Sequence, residues 1–139
     1  MTLSFAVVCE AAADQRTGCG LADRVFLAEV AWLEQELLPH CRQWRGFRSK
    51  EPHLLWREVH PLARSHRIRA HGHFQGEPGA PDAHAGRLAL LLIHASPDPA
   101  DAIVLLRDDD RQTERRRGLE QARGSAGLGY HSRIGSQSR

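Results

Sequence analysis

The sequence predicts an α/β domain with a small, open, mostly parallel sheet flanked by helices. Three observations carry that expectation. The near-continuous apolar runs Leu3-Ser4-Phe5-Ala6-Val7-Val8-Cys9 and Ala102-Ile103-Val104-Leu105-Leu106 have the length and the lack of alternation of strands buried on both faces. Each run is followed by residues at helical spacing. A strongly apolar helical stretch over 82–95 leads through Pro97 and Pro99 into the second run, the step that feeds a parallel strand.

Along the chain, strand 3–9 passes through an Ala-rich turn into a helix expected over 13–30. Cys19, Leu21, Ala22, Val25 and Phe26 share one face of it, with Asp14, Arg16, Asp23 and Arg24 mostly opposite. Gly18 and Gly20 weaken its first turns by up to about 1 kcal/mol each, or mark a loop there. A second helix is expected over 32–44, carrying Trp32, Leu33, Leu37 and Trp44 and broken or kinked by Pro39. A third, over 54–65, presents Leu54, Leu55, Val59 and Leu62.

Ile68 to Phe74 alternates weakly and is read as a strand, and Gln75 to Pro81 is turn chemistry. Asp82 is expected to cap helix 82–95, whose apolar stripe is Ala85, Leu88, Ala89, Leu91, Leu92 and Ala95. Strand 102–107 follows. The last helix is expected over 112–123, capped by Asp109 or Asp110, with only Leu119 and Ala122 available to a core. From Gly124 onward there is no periodicity and few large apolar residues, so 124–139 reads as a disordered tail behind a single domain, 1–123.

Bulk properties narrow the function classes without choosing one. The chain has 139 residues, enough for one domain, and a formal net charge of +2. No apolar stretch reaches the roughly 20 residues of a membrane span, and no basic segment precedes the first apolar run as in a secretory signal, so cytoplasmic residence without a membrane partner is expected. The three cysteines, Cys9, Cys19 and Cys41, are odd in number and unpaired in spacing, which fits small buried hydrophobes better than a disulfide or zinc framework. Lys50 is the sole lysine among the basic residues, a bias that favours phosphate forks but also follows from codon usage.

The chemistry is expected where the two apolar runs end. The first delivers Glu10 and the second delivers Asp108-Asp109-Asp110. Ligands of open α/β sheets gather outside the carboxyl ends of the strands. If the strands are neighbours, three or four carboxylates converge at one edge with no lysine beside them. Such crowding is tolerable around a hard divalent cation, and oxygen-only ligands favour Mg²⁺ or Mn²⁺.

The strings Val7-Val8-Cys9-Glu10, Asp14-Gln15-Arg16-Thr17, Arg107-Asp108-Asp109-Asp110 and Glu114-Arg115-Arg116-Arg117-Gly118-Leu119-Glu120-Gln121-Ala122 resemble the Toprim domain of topoisomerases, bacterial primases and overcoming-lysogenization-defect nucleases, and a group of small bacterial proteins of Toprim-like type. A strand ending in Glu, a helix, and a later strand ending in Asp-x-Asp is that family's layout. The resemblance covers about residues 1–123 and implies Mg²⁺-dependent phosphodiester chemistry on a nucleic acid. Glu10 would be the general acid or base, Asp108 and Asp110 the cation ligands, and Asp14 a further ligand. Asp109 would face away or cap the helix. Arg16, Arg111, Arg115 and Arg116 would contact the nucleic acid. Toprim sheets continue into another strand after this helix, so the chain is expected to stop short of it.

Competing readings of the same residues stay open. A Glu or Asp at a strand end often caps the next helix. The carboxylates then belong to a non-catalytic interaction module or a degenerate fragment, whose open sheet edge would take a protein partner or a second copy of the chain. A third reading is a Mg²⁺-dependent phosphohydrolase of small phosphate esters. His71-Gly72-His73 is a weak metal candidate beside its reading as a surface strand end. Arg42, Arg45, Arg48 and Lys50, interleaved with Trp44 and Phe47, resemble a phosphate patch with stacking platforms but equally an ordinary helix end. Arg115-Arg116-Arg117 would steer a phosphate backbone, or simply pair with Glu114 and Glu120.

Overall fold

The computed structural model describes residues 2–70, 72–74, 76–107 and 113–125. From the N-terminus the elements are β1 (Leu3–Cys9), α1 (Ala12–Glu29), α2 (Leu38–Cys41), β2 (Arg42–Arg45), β3 (Leu54–Leu55), α3 (Trp56–Ser65), β4 (His73–Phe74), β5 (Glu77–Pro78), α4 (Ala83–His94), β6 (Ala102–Leu105) and α5 (Thr113–Ser125). The architecture is α/β, with an open parallel sheet and a separate small antiparallel ribbon of β4 and β5.

β1 is the axis of the sheet. On one flank it pairs with β6, from Phe5 opposite Ala102 to Val8 opposite Leu105. Its other pairings are shared along its length, β2 running from Leu3 opposite Arg42 to Ala6 opposite Arg45, and β3 setting Val8 and Cys9 opposite Leu54 and Leu55. All three pairings are parallel. Helices cover both faces, which is why the strands read as apolar runs rather than as an alternation. Ala6 and Val8 pack with Val59, Ala63, Leu88, Ala89, Leu92, Ile93 and Leu119 from α3, α4 and α5, backed by Ile103 and Leu105. Each fully buried Val, Leu or Ile there contributes about 1.5–3 kcal/mol. On the opposite face the Phe5 ring meets Phe26 of α1 at 5.8 Å and Trp44 of β2 at 5.4 Å, both edge to face.

Several expectations change. The region read as a helix over 32–44 has only the four-residue α2, and Trp44 lies in a strand. Pro39 stands in the first turn of α2, where its missing N–H costs nothing, so it opens a helical turn instead of kinking a longer one. Trp32, expected on an apolar face, is 71% exposed, whereas Leu33 is buried. Of the strand read over 68–74, only His73–Phe74 is strand, and it turns back through Gly76, at a left-handed φ of 82°, onto Glu77–Pro78. On α4 the buried stripe includes Leu90 and Ile93, while Leu91 and Ala95 are exposed. α5 does place Leu119 and Ala122 inside, and it runs to Ser125. The remainder of the expected tail, 126–139, lies outside the described residues. Among the described residues no helix is long and apolar enough to cross a membrane.

Cys9 and Cys19 are buried and all three cysteines are free thiols. Burial, helped by the nearby charge of Asp14, pushes the Cys9 thiol up to about 11, and burial with Asp23 pushes Cys19 up to about 12. Both are packing groups and not nucleophiles at neutral pH.

Two glycines in helices behave oppositely. A Cβ on Gly118 of α5 would collide with the backbone carbonyl oxygen of Pro81, which cannot swing aside, whereas a Cβ on Gly20 of α1 would meet nothing. Gly118→Ala is expected to cost about 1–3 kcal/mol by overpacking. Gly20→Ala should instead stabilise by up to about 1 kcal/mol, both read from urea unfolding.

The thiols give a pH dependence with a definite sign. Above pH 9.0, the ordinary thiol value, the unfolded chain releases protons that the folded chain keeps until about 11 or 12. Stability contributed by the neutral thiols is therefore complete below 9 and is lost as pH rises from there. Tm measured from pH 8 to 11 should fall more steeply for the wild type than for the double variant Cys9→Ala/Cys19→Ala.

Candidate functional site

The parallel register of β1 and β6 decides what meets at the carboxyl rim of the sheet. Leu106 N–H donates to the Val8 carbonyl at 2.8 Å, which extends the pairing beyond Leu105. The next side chains along, Glu10 and Arg107, are in contact, with Arg107 Nε 3.2 Å from Glu10 Oε1. Trp56, at the start of α3, donates its indole N–H to the Leu106 carbonyl at 2.6 Å, fixing the exit of β6. The Arg107 guanidinium lies 5.5 Å from the centre of the Trp56 ring, within range of a cation–π contact.

Two further charges complete the cluster. Arg115 of α5 reaches Glu10 at 3.7 Å, and Asp82, just before α4, stands 3.3 Å from Arg107 and 3.5 Å from Arg115. Among the described residues the rim thus holds two carboxylates and two guanidiniums, each carboxylate within 4 Å of both cations. Asp82 is the more enclosed acid, its side chain 14% exposed against 33% for Glu10. It occupies the N-cap position of α4 and its backbone carbonyl accepts from Gly86 N–H at 2.8 Å, but its side chain makes no cap bond. A left-handed φ of 69°, which Asp tolerates better than most residues, accompanies that placement. The expected role of Asp82 as a side-chain cap is therefore replaced by a charge pairing between α4, β6 and α5.

The predicted site residues separate as follows. Glu10 and Arg115 are brought together at the rim. Asp14 accepts the Ala11 N–H at 3.2 Å and so closes the first turn of its own helix. Arg16 is exposed on α1. Arg116 pairs with Glu120 one turn on, at 3.4 Å. Asp108, Asp109, Asp110 and Arg111 lie outside the described residues, as does His71. Among the described residues no group of three or more His, Cys, Asp or Glu side chains is arranged to hold a metal ion. The rim's own donor set there is two carboxylates, both already facing guanidiniums, so the described residues do not by themselves fit a Mg²⁺ or Mn²⁺ site.

Glu10 is not left in an unrelieved crowd of like charges. No lysine stands beside Glu10, but two arginines do. Arg107 and Asp82 were missed in the sequence because one reads as the end of a strand and the other as a cap. Their signal was positional, since the residue opposite Glu10 in a paired strand is the one preceding the acidic triplet.

In the basic stretch Arg42–Lys50, two of the four cations are engaged within the fold, and Arg48 and Lys50 are exposed. Arg42 forms a bidentate pair with Asp23 at 2.7 and 2.8 Å. Arg45 is 1% exposed, donating to the carbonyls of Gly46 and Phe47 and standing 3.2 Å from Asp98. Phe47 is buried beneath. Half of that stretch's cations thus serve the fold.

Compared with family models, with curated proteins and with solved structures, the chain matches none.

Asp82→Asn keeps the size of the side chain and its tolerance of positive φ while removing one charge from the rim. It is expected to lower stability by about 1–2 kcal/mol, because two partly buried guanidiniums lose the charge of a shared carboxylate. Glu77→Gln, which breaks the exposed pair with Arg117, should stay within about 0.5 kcal/mol in the same unfolding measurement.

Proposed function

We propose that this is a Toprim-like domain acting in the cytoplasm on nucleic-acid phosphodiesters at the carboxyl rim of its sheet, as a Mg²⁺-dependent nuclease or a module derived from one. A single observation carries the reading. β1 and β6 are paired in parallel, and Glu10 touches the residue immediately before Asp108. Glu10 and Arg107, the residue that leads into Asp108-Asp109-Asp110, therefore meet at the end of the sheet where α/β domains bind ligands.

In this reading Arg107 and Arg115 offer forked donors to the non-bridging oxygens of a phosphate, the geometry at which guanidinium surpasses ammonium. A phosphate that engages them loosens their hold on Glu10. Glu10, one third exposed, then stands at the edge of the cluster to take or deliver a proton at the attacking or leaving oxygen. Asp108 and Asp110 are the residues assigned to Mg²⁺ or Mn²⁺, which when bound would neutralise phosphate charge.

A second reading is favoured by the ion pairs themselves. Glu10, Asp82, Arg107 and Arg115 balance one another in charge, although Asp82 Oδ2 and Arg107 Nε are buried without a hydrogen bond, and together the four join the ends of β1 and β6 to α4 and α5. A non-catalytic module would need nothing more from them.

Thermal unfolding with and without Mg²⁺ or Mn²⁺, paired with a plasmid-nicking assay, separates the two. The first reading expects the ion to raise the wild-type Tm, no such rise in Asp108→Ala/Asp110→Ala, and nicking that is lost in Glu10→Gln. No rise in the wild type, or an equal rise in the double variant, overturns it. A Glu10→Gln protein that loses stability with no nicking by the wild type supports the second reading.

A further inference from the structure

A groove of about 890 Å³ lies between α3, the segment that follows it, and the first turns of α4. Ala63, Ile68, Ala70 and Leu88 give it an apolar floor, and its charged lining is Arg64, Arg67, Arg69, His60 and His84. No carboxylate lines it among the described residues. The rings of His60 and His84 are stacked, 5.7 Å between centres and 21° apart in plane. His84 Nε2 lies 3.0 Å from the Ala70 carbonyl, which ties the returning chain to α4 and closes one side of the groove.

The backbone at the groove's end supplies the decisive detail. α3 finishes in a Schellman motif, with Ile68 N–H bonded to the Ala63 carbonyl at 2.8 Å and Arg67 N–H bonded to the Arg64 carbonyl at 3.1 Å. The residue after the cap in that motif must be left-handed, and here it is Arg67, at a φ of 58°. Glycine is the residue that fits this position, and an L side chain costs about 1 kcal/mol there. Arg64 alone has an ordinary explanation, since a cation at a helix C-terminus is favourable. Arg67 has none in the helix. The side chain stands at a position that backbone energetics would leave to glycine, and it lines the groove.

We infer that this groove is an anion site for two or more consecutive phosphate groups, held by Arg64, Arg67 and Arg69 with His60 and His84. Three arginines lining one trough match a run of phosphates better than a single small anion, and the volume lies within the range of ligand clefts. The site is independent of any ion at the carboxyl rim and does not rest on the nuclease reading.

Binding is measured in EDTA, so that no divalent cation contributes and failure of the rim proposal leaves the result untouched. The probes are a fluorescent oligothymidylate of about twelve nucleotides, read by anisotropy, and inorganic tripolyphosphate, read by calorimetry and by competition. Arg67→Gly removes the guanidinium while relieving the left-handed strain, so its Tm should equal or exceed that of the wild type. Its affinity should fall roughly three- to tenfold and its dependence on salt should become shallower by about one phosphate contact. Arg24→Gln, the same charge change on exposed α1 across the sheet, should leave binding within about twofold. Competition by tripolyphosphate identifies a short polyphosphate as sufficient, while binding of the oligonucleotide alone identifies a strand backbone. Equal losses in Arg67→Gly and Arg24→Gln, or no binding of either probe, overturn the assignment.

Discussion

The parallel pairing of β1 with β6 is the constraint on which the rest of the molecule depends. It fixes which side chains arrive together at the carboxyl rim, and it sets Glu10 of one strand against Arg107 of the other. Because β1 also carries β2 and β3, it is buried on both faces and on both edges. A one-residue slip of β6 would turn Ile103 and Leu105 away from α4 and move Arg107 out of reach of Glu10, so core packing and rim electrostatics select the same register.

At the rim, opposite charges from four separate segments meet at distances of 3.2 to 3.7 Å. No side chain in the cluster is fully enclosed, which keeps its pairs less screened than surface bridges, while the buried Asp82 Oδ2 and Arg107 Nε, which lack hydrogen bonds, bear part of the desolvation cost of enclosed ions. The arrangement serves two purposes at once. It draws β1, β6, α4 and α5 together, and it leaves guanidiniums, the side chains best shaped for phosphate oxygens, at the end of the sheet where α/β domains bind ligands. The groove beside α3 differs in kind: its three arginines have no carboxylate along the described lining, and one of them occupies a backbone position that disfavours it.

Elements built on local apolar periodicity were legible in the sequence. β1, β6, α1, α3, α4 and α5 all appear near their expected places, because apolar runs and helical spacing mark an element. They fix its face and ends less well: Leu54 and Leu55, expected in the helix over 54–65, form β3, and Val25 of the expected α1 face is exposed. β2 was not legible. Its four residues, Arg-Gln-Trp-Arg, have no apolar alternation, and they are held by Asp23, by Phe5 and by carbonyls of the following loop. Those are contacts between segments, which periodicity does not record. The weak alternation of 68–74 gave way for a similar reason: residues 66–68 are taken up by the close of α3, and Ala70 is tied to α4 through His84. Of the candidate site, the meeting of the two strand ends was legible from their sequence positions. The two arginines that answer Glu10 were not, since a charge at a strand end looks the same whether it binds a ligand or pairs across the sheet.

The most direct test of the account is paramagnetic broadening of backbone amide signals by substoichiometric Mn²⁺. The account predicts that Glu10 and Ala11 broaden together with Arg107 and the residues of the acidic triplet, while signals at the opposite end of the sheet are unaffected. Broadening confined to one of the two strand ends, or spread evenly over exposed carboxylates, would contradict it.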